Sequence, residues 1–509
     1  MPVATTYASA EIGVDSPLVS VEAEVSPGLP RIQIVGMPET AVRESKDRVK
    51  AAITSCGFDF PSKRIIVNLA PADLPKSGGR YDLAIAVAIL GAAGSLPREI
   101  MQDLELLGEL SLTGEIRAVR GVLPAALNNK QRDPDTRKLM IVPAGNSMEA
   151  GLAQSTDVRT ASSLSTLAAF LKGMDTLPAP ASCIVPQPDN AYPGLSEVRG
   201  QAAAKRALCI AAAGGHNLLM IGPPGTGKTM LATRLPGLMP PMSLEESLEV
   251  ASLISVSHQR FDPGSWGHRP FRSPHHTASA AAMVGGSNPP MPGEISLAHQ
   301  GILFLDELPE YSRHVLEVLR EPLESGEIWI SRAARQVRYP ARFQLVAAMN
   351  PCPCGYLGDE RRECECTADS IQRYRSRVSG PLLDRIDLHV EVPPLPGGTL
   401  SARQQTASAT ADSTVCKQVQ RATELMKQRQ GVVNSMLTGS DIEKVCVLSE
   451  RDSQFLDQSV TRLGISTRGY FKILKVARTI ADLAGEKHIA TGHLAEALGY
   501  RRLDRQQLQ

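Results

Sequence analysis

This 509-residue sequence has no surplus of charge of either sign and no long apolar segment. Lys and Arg number 54 and Asp and Glu number 53, so the net charge of +1 excludes a chain-wide basic field that would attract nucleic acid. Any basic surface must therefore be local. No run approaches the roughly 20 apolar residues that span a bilayer, and residues 1–6 show neither a basic nor an apolar leader pattern. We therefore expect a cytoplasmic protein that does not bind membranes.

Aromatic residues are also scarce, at 4% of the chain, and there are only nine cysteines. Five of the cysteines are scattered, which in a reducing compartment indicates small apolar residues rather than disulfides. The other four lie close together, at Cys352, Cys354, Cys364 and Cys366. Two Cys-x-Cys pairs supply enough thiolates for a tetrahedral Zn²⁺ site, although structural zinc sites usually have two residues between paired cysteines. Structural zinc and free or redox-paired thiols both remain open.

A glycine-rich segment follows an apolar run at residues 217–221. It consists of Gly222, Pro223, Pro224, Gly225, Thr226, Gly227, Lys228 and Thr229. A buried strand, a glycine turn and a helix that begins at Lys228 form the context of a phosphate-binding loop. Backbone N–H groups would bind the phosphates of ATP, Lys228 would contact the β and γ phosphates, and Thr229 would ligate Mg²⁺. The alternative is a glycine-lysine turn without a ligand.

Two adjacent carboxylates end a second apolar run, at residues 301–305. If this run is a central parallel strand, Asp306 and Glu307 lie at the edge where α/β sheets bind ligands. Asp306 would then hold Mg²⁺, and Glu307 would orient and deprotonate the attacking water. A solvated strand end is the alternative, which the preceding phosphate-binding loop disfavours.

The length of the chain predicts three or four structural units at about 100 to 200 residues per domain. Proline-rich stretches near residues 177–188 and 393–398 indicate connectors. The fold class is predicted as α/β, with a mixed N-terminal domain, a parallel-sheet P-loop core and a helical C-terminal lid. The predicted units are residues 1–173, a linker at 174–194, an ATPase core at 195–395 and the lid at 396–509.

Hydrophobic periodicity places individual elements within these units. In the first unit it predicts strands at residues 18–25, 31–35, 64–68, 104–110 and 138–142, and helices at 40–55 and 83–91. In the lid it predicts helices at residues 415–429, 440–447, 450–463, 468–484 and 491–500.

Residues 75–84 and 108–116 resemble the protease domain of the Lon family. In that family a serine nucleophile works with a lysine base. Here Arg80 stands at the position of the serine, and the segment after Arg120 reads Gly-Val-Leu-Pro-Ala-Ala where the lysine is expected. The resemblance therefore implies a non-proteolytic Lon-like domain and disfavours an ATP-dependent protease.

The rest of the chain resembles AAA+ ATPases of the magnesium-chelatase-like clade, and residues 271–307 are similar to its ComM/YifB branch. The resemblance makes Asn350 the sensor-1 residue that places the water, although an amide at a strand end is also a common turn former. Arg385 would be an arginine finger that reaches the γ-phosphate of a neighbouring subunit. Its alternative is a local ion pair with Asp384 or Asp387.

By the same resemblance, Arg468 matches the sensor-2 arginine, which would contact the γ-phosphate bound to its own chain. A purely structural arginine at a helix start is less favourable, because its charge opposes the helix dipole.

A second insertion, at residues 327–339, has two alternating halves around a short turn, which predicts a β-hairpin. It carries Arg332, Arg335 and Arg338 together with aromatic residues. Arginines beside aromatic rings suit single-stranded or frayed DNA, through phosphate contacts and base stacking. The alternative for Trp329 is packing in the core.

In the first insertion, His275 and His276 are adjacent. Side chains of neighbouring residues on an extended segment point apart, which favours loop contacts over a shared metal.

The resemblance to the ComM/YifB family covers nearly the whole chain. It implies a hexameric, ATP-driven DNA motor that performs branch migration or helicase work in recombination during natural transformation, with recombination proteins as partners. The cofactors implied are ATP and Mg²⁺. A magnesium-chelatase-type ATPase that remodels a protein partner is the alternative from another functional class.

Overall fold

The computed structural model describes residues 3–181, 192–259, 261–287, 290–332, 335–395 and 409–501. Outside the described residues lie much of the predicted linker, the start of the predicted lid and the hairpin turn, at residues 182–191, 396–408 and 333–334. The side chains of Arg332 and Arg335 lie outside them too. Over the described ranges, no helix is both long and apolar enough to cross a bilayer. The domain boundaries stay predictions.

The N-terminal part is an α/β structure that contains a mixed sheet. Its elements are β1 (Val3–Ser9), β2 (Leu18–Ser26), β3 (Arg31–Val35), α1 (Thr40–Ser55), β4 (Arg64–Ala70), α2 (Asp82–Ala92), β5 (Leu104–Leu106), β6 (Glu109–Leu110), β7 (Ile116–Arg117), α3 (Val122–Gln131), β8 (Leu139–Pro143), α4 (Ser147–Gly151), β9 (Val158–Ala161) and α5 (Leu164–Leu171). Among the described residues, seven strands form one sheet in the order β3-β4-β2-β1-β5-β8-β9. Strand β2 is antiparallel to both of its neighbours and the other pairs are parallel, which confirms the predicted mixed α/β fold.

The strand predicted at residues 104–110 is wrong in extent. Strand β5 ends at Leu106, and β6 leaves the sheet to pair with β7. The break lies at Gly108, whose N–H donates to the carbonyl of Arg80 and whose carbonyl accepts from the N–H of Leu83. These bonds hold the chain on the start of α2 rather than on a neighbouring strand. The periodicity analysis also misses β1 and β9.

Arg80 is buried at 3% exposure, with its guanidinium 3.4 Å from the carboxylate of Glu11. The position that would carry a protease nucleophile is therefore occupied by a buried ion pair. The core of this part also includes Ala251 and Trp266, which lie after the predicted linker in the chain.

The second part is built on a parallel sheet. Its elements are α6 (Ala202–Gly214), β10 (Leu218–Ile221), α7 (Lys228–Ala232), α8 (Leu235–Leu238), α9 (Leu244–Val256), β11 (Phe271–Arg272), α10 (Ala280–Val284), β12 (Gly285–Gly286), β13 (Met291–Pro292), α11 (Glu294–Leu297), β14 (Ile302–Leu305), α12 (Arg313–Val318), α13 (Arg320–Ser325), β15 (Glu327–Arg332), β16 (Arg335–Pro340), β17 (Gln344–Met349), α14 (Ala368–Arg375), α15 (Gly380–Leu383) and β18 (Leu388–Glu391).

Five strands of this part pair in the order β11-β14-β17-β10-β18, and every pair is parallel. Alternate residues of each strand point to opposite faces. On one face, residues such as Met220 and Phe304 belong to a core shared with α6 and the C-terminal helices. On the other, Leu219 and Leu305 pack with α12 and the β15–β16 hairpin. Both faces are covered, which explains why these strands are continuously apolar in sequence.

The C-terminal region is helical, as predicted. Its helices are α16 (Ala409–Gln430), α17 (Gly439–Val445), α18 (Glu450–Leu463), α19 (Thr467–Ala484) and α20 (Thr491–Gly499). Helix α19 packs on α6, α16 and α20, and contributes Ile473 and Ala477 to the shared core. The α/β class with a parallel sheet and a helical C-terminal region is therefore confirmed.

Candidate functional site

The glycine-rich segment forms a loop between β10 and α7, as the sequence predicts. Gly225 and Gly227 have φ angles of 77° and 87°, in the left-handed region that disfavours side chains. Gly222 is required for a different reason, because a Cβ there would lie 2.2 Å from the carbonyl oxygen of Val392. These glycines allow the backbone to curl closely enough to surround a phosphate.

Lys228 is folded into this loop. Its Nζ donates to the carbonyl oxygens of Gly222 and Pro223, at 2.7 and 2.9 Å, and to Oδ1 of Asn350 at 3.1 Å. Burial lowers the pKa of Lys228, and the carboxylates of Asp306 and Glu307 oppose that shift. The ammonium group thus lies in the loop with weak carbonyl partners, which a phosphate would replace with a stronger one.

The candidate Mg²⁺ ligands meet across the sheet. The hydroxyl of Thr229 donates to Oδ2 of Asp306 at 2.8 Å, and Oδ1 of Asp306 accepts from the N–H of Glu307 at 2.9 Å. Their meeting follows from strand polarity, because β10 and β14 are parallel and both end at this edge. A hydroxyl and a carboxylate oxygen are hard donors of the kind that Mg²⁺ binds.

Glu307 has an unusual backbone, with a φ of 52° at a non-glycine residue. Its Oε2 lies 3.2 Å from Nδ1 of His276, and the Glu307 side chain is about half exposed.

The rings of His275 and His276 are only 4.1 Å apart, so the expectation that the two side chains point apart is wrong. The chain turns tightly at these histidines, since Nδ1 of His275 lies 2.8 Å from the hydroxyl of Thr277, two residues later. Sequence reasoning missed the contact between His276 and Glu307 because the two residues are 31 positions apart.

Asn350 directly follows β17, which pairs with the strand that precedes the phosphate-binding loop, and its side chain contacts Lys228. Its chain continues directly into the cysteine cluster. The Sγ atoms of Cys352, Cys354 and Cys364 are separated by 3.4 to 3.6 Å. With Cys366, all four sulfur atoms lie within 4.8 Å of one another, a grouping that fits a single metal ion. A Cβ at Gly355 would lie 2.8 Å from Pro224, so the cluster also abuts the phosphate-binding loop.

Arg385 does not pair with Asp384 or Asp387 in the contacts that the structure shows. Its guanidinium lies 2.5 Å from Oε1 of Glu324 and is only 11% exposed. The same Glu324 oxygen lies 3.9 Å from the guanidinium of Arg468. Sequence reasoning missed Glu324, because a glutamate on the exposed side of a short helix has no local signature.

Asp387 instead organises the amino-terminal edge of the sheet. Its carboxylate accepts from the N–H of Asn217 at 3.0 Å and pairs with Nζ of Lys472 at 2.7 Å. Burial by itself would raise the pKa of Asp387, but Lys472 and His216 lower it well below its usual range. Lys472 lies one helical turn after Arg468, so α19 begins at this same edge.

Arg468 lies near Glu324, and its expected contact with the γ-phosphate of its own chain stays a prediction. The loop that binds phosphate follows Ile221 at the carboxyl end of β10, whereas Asn217 and Asp387 mark the amino end. The four residues of β10 separate the two edges by about 13 Å at 3.3 Å per residue. Arg468 and Arg385 both contact Glu324, and the backbone carbonyl of Arg385 accepts from the side chain of Asn217 at the amino end of β10.

The β15–β16 hairpin is present, with Trp329 directly opposite Arg338. Trp329 is 47% exposed while Ile328 and Ile330 are buried, so the core-packing alternative for Trp329 is wrong. The guanidinium of Arg338 is also exposed, at 56%, and lies 3.4 Å from Glu327. The solvent-facing side of the hairpin thus presents an indole ring beside a guanidinium group.

A phosphate-binding loop, paired carboxylates at the carboxyl edge of a parallel sheet and a helical C-terminal region define an AAA+-like P-loop protein. Family models agree with this class. "Magnesium chelatase, subunit ChlI" matches residues 194–400, "Subunit ChlI of Mg-chelatase" matches 21–146, and "Magnesium chelatase, subunit ChlI C-terminal" matches 409–501.

Full-length relatives define the family more narrowly. The chain is 48% identical over 506 residues to uncharacterized protein YifB of Salmonella typhimurium, covering 99% of this chain and 98% of the relative. It is 48% identical over 511 residues to competence protein ComM of Haemophilus influenzae, with the same coverage. The magnesium-chelatase 38 kDa subunit of Cereibacter sphaeroides is 27% identical over 179 residues, or 31% of this chain and 52% of the subunit. The chain belongs to the ComM/YifB family of magnesium-chelatase-like proteins.

Two substitutions separate nucleotide binding from hydrolysis at this site. We expect Lys228→Ala to lose ATP affinity, because the loop then has no ammonium group for the phosphates. Glu307→Gln should still bind Mg²⁺ and ATP but lose about 10² to 10⁴ in turnover, the range that a general base contributes. Titration with a fluorescent ATP analogue and steady-state phosphate release measure the two effects. Equal turnover in Glu307→Gln and wild type would contradict the role of Glu307.

Proposed function

We propose that this protein is an ATP-driven DNA motor that works as a ring of identical subunits, performing branch migration or helicase work on DNA taken up during natural transformation. The observation that carries the proposal is the exposed Trp329–Arg338 pair on a hairpin that packs on the ATPase sheet. The name of the competence protein ComM supports the biological setting. The magnesium-chelatase alternative is disfavoured because its 38 kDa subunit aligns with less than a third of the chain.

ATP hydrolysis is assigned to residues at the carboxyl edge of the sheet. Lys228 would hold the β and γ phosphates, and Thr229 and Asp306 would hold Mg²⁺, which neutralises charge on the phosphates when bound. Glu307 would take the proton of the attacking water. Asn350 already contacts Lys228 and would help to position that water near the γ-phosphate.

The candidate arginine finger, Arg385, and the candidate sensor-2 arginine, Arg468, support a ring. Arg385 and Arg468 share Glu324, and Arg385 lies beside Asn217 at the amino end of β10, so both would act on the nucleotide of a neighbouring subunit. Glu324 then holds the pair in place until the γ-phosphate of that neighbour replaces it. The resemblance implies six subunits, and Asp387 with Lys472 would anchor α19 so that its movement follows the sheet.

The DNA-facing element is the hairpin with its arginines. Trp329 offers an aromatic surface for base stacking, and Arg338 offers a charge for phosphate. Arg332 and Arg335 lie toward the hairpin turn in sequence and would add phosphate contacts. In a ring, hairpins from all subunits would face the central channel. Recombination proteins are the expected partners.

The cysteine cluster is assigned to structural Zn²⁺. Four thiolates with all sulfur atoms within 4.8 Å of one another match the donor type and number of a closed zinc site. When bound, the ion would fix the segment between Asn350 and Cys366 against Pro224, and so support the phosphate-binding loop.

The DNA assignment predicts ATP-dependent branch migration or strand displacement on forked DNA by wild type and none by Glu307→Gln. Trp329→Ala should weaken single-stranded DNA binding by about 5- to 150-fold, the equivalent of 1–3 kcal/mol of stacking, and Trp329→Phe should retain part of it. Arg338→Ala should lower the slope of log affinity against log salt by about one. Arg64→Ala, an exposed arginine of β4, is the control. Robust ATP turnover with no action on any branched DNA would overturn the assignment.

The intersubunit arginines predict complementation between inactive variants. Arg385→Ala should lose at least about 10³ in turnover, and mixing it with Lys228→Ala should restore part of that activity, because some interfaces then join an intact loop to an intact arginine.

Two control mixtures sharpen this test, with phosphate release as the measurement. Lys228→Ala mixed with Glu307→Gln should stay inactive, because both lesions lie in the same half of the site. Arg385→Ala mixed with Arg468→Ala should also stay inactive if both arginines act across the interface. If phosphate release were restored in the mixture of Arg385→Ala and Arg468→Ala, Arg468 would act on the nucleotide bound by its own chain.

Zinc binding predicts about one metal ion per chain in protein purified without added zinc, measured by elemental analysis. Cys364→Ser combined with Cys366→Ser should lose the ion and unfold at a lower temperature, because the site loses half of its thiolates. Cys56→Ser, outside the cluster, should change neither quantity. Four freely titrating thiols and no metal in wild type would contradict the assignment.

A further inference from the structure

Arg80, which stands at the position of the Lon-family nucleophile, lies at the junction between the N-terminal part and the part that holds the parallel sheet. A Cβ at Gly121 would lie 3.5 Å from Nη1 of Arg80, 3.6 Å from Cγ1 of Val256 and 3.7 Å from Cγ of Glu11. Val256 ends α9, and the N–H of Gly121 donates to the carbonyl oxygen of Ser255 in the same helix at 3.0 Å. Segments of both parts therefore converge on the Arg80 side chain.

The buried guanidinium depends on one counter-ion. Arg80 is 3% exposed, and its Nη1 lies 3.4 Å from Oε2 of Glu11. Its Nε and Nη2 form no hydrogen bond with any residue that the structure describes. A buried charge is unfavourable without an opposite charge close by. The charge of Arg80 therefore favours the arrangement in which Glu11 stays at the junction.

The chain directly after Glu11 reaches the hairpin. Residues 12–15 form a tight turn, closed by backbone hydrogen bonds of 3.1 and 3.0 Å between its first and last residues. Gly13, within this turn, has a φ of 62°. A Cβ there would lie 2.6 Å from Cγ1 of Val337 and 3.3 Å from the carbonyl oxygen of Arg338. The backbone of the 12–15 turn therefore packs directly on strand β16.

The turn supports the buried face of the hairpin. Ile12 and Val14 pack on the apolar core that includes Val337. Successive residues of a strand point to opposite faces, so the position of Val337 also determines where its neighbour Arg338 points. Trp329 lies opposite Arg338 in the ladder, and both are exposed. Support from one face thus orients the candidate DNA contacts on the other.

Hydrogen bonds connect the start of the N-terminal part to both α3 and α9. The side-chain amide of Asn128 in α3 donates to the carbonyl oxygen of Ser16, next to the turn, at 3.3 Å. At the start of α3, Oε1 of Glu149 accepts from the N–H of Leu123 at 3.0 Å and from the hydroxyl of Ser255. The turn is therefore held by the helix that also binds the N-terminal part to α9.

We propose that the N-terminal part holds the β15–β16 hairpin in its DNA-binding orientation, and that Arg80 is a positioning residue that acts through Glu11 and the 12–15 turn. The inference rests on the proposed function, since it needs DNA on the hairpin. It gives the arginine at the nucleophile position a role other than proteolysis. Because the candidate nucleotide-binding residues lie on other elements, loss of this support should lower DNA affinity and leave ATP affinity unchanged.

A glycine pair tests the contact between turn and hairpin. Gly13→Ala places a Cβ against Val337 and should weaken binding of fluorescently labelled single-stranded DNA by roughly fivefold or more, because β16 must move away. Gly57→Ala is the matched control, since Gly57 also has a positive φ, of 79°, but a Cβ there meets no described atom within 4 Å. Both variants strain the backbone, and only Gly13→Ala should change DNA affinity. ATP affinity should equal that of wild type in both.

Variants of Arg80 test the ion pair in the full-length protein. Arg80→Met removes the charge and should also weaken DNA binding by about fivefold, whereas Arg80→Lys keeps a cation and should retain part of the affinity. Arg80→Met should cost less in a Trp329→Ala background, because the hairpin then already lacks its ring. The chain has two tryptophans, so in a Trp266→Phe background the emission of Trp329 should shift in Arg80→Met without any DNA.

Each outcome decides between the alternatives. If wild type binds DNA and both Gly13→Ala and Arg80→Met keep its affinity, the inference is overturned while the DNA motor stands. If Arg80→Met costs the same with and without Trp329, it does not act through the hairpin, which also overturns the inference. If Arg80→Met fails to fold, Gly13→Ala decides, because it leaves the ion pair in place. If wild type binds no DNA, the proposed function fails and the inference fails with it.

Discussion

The common direction of the five core strands determines where the candidate nucleotide-binding residues of this protein lie. Because β10, β14 and β17 are parallel, the residues that follow them share one edge, and Lys228, Asp306 and Asn350 meet there. The same polarity sends the residues that precede β10 and β18 to the opposite edge. One sheet therefore carries the phosphate-binding residues at one edge and Arg385, with Glu324, near the other.

The edge of the sheet at the amino ends of its strands is stabilised by ion pairs, whereas the opposite edge depends on the glycines of the phosphate-binding loop. Asp387 joins the start of β10 to α19 through Asn217 and Lys472, and its low pKa keeps it ionised at any physiological pH. The carboxylate of Glu324 contacts the guanidinium groups of both Arg385 and Arg468. The proposed ring would bring the arginines at this edge of one subunit to the phosphate-binding loop of the next.

Insertions add a third region, in which the hairpin, the β12–β13 ribbon and the His275–His276 turn form a chain of contacts ending at Glu307. Local sequence patterns predict part of this region: the alternation at residues 327–339 predicts the hairpin, and the apolar run at 301–305 predicts the strand before Asp306. The contacts between the pieces have no such pattern. His276 meets Glu307, and Ile330 meets Gly285, only because the intervening chain folds back on itself.

The sequence alone determined the strand, turn and helix of the phosphate-binding loop and the carboxyl edge, since these are local properties and parallel strands necessarily bring their ends together. It also identified the four cysteines, whose proximity follows from two short spacings and one loop. It did not determine β1, β9 or the end of β5. Only the tertiary structure decided which side of the sheet Arg468 occupies, that Trp329 faces solvent, and that Glu324 and His276 touch the candidate catalytic residues. These facts depend on how α13, α19 and the insertions pack on the sheet, and packing between distant segments is set by the whole core rather than by any single stretch of residues.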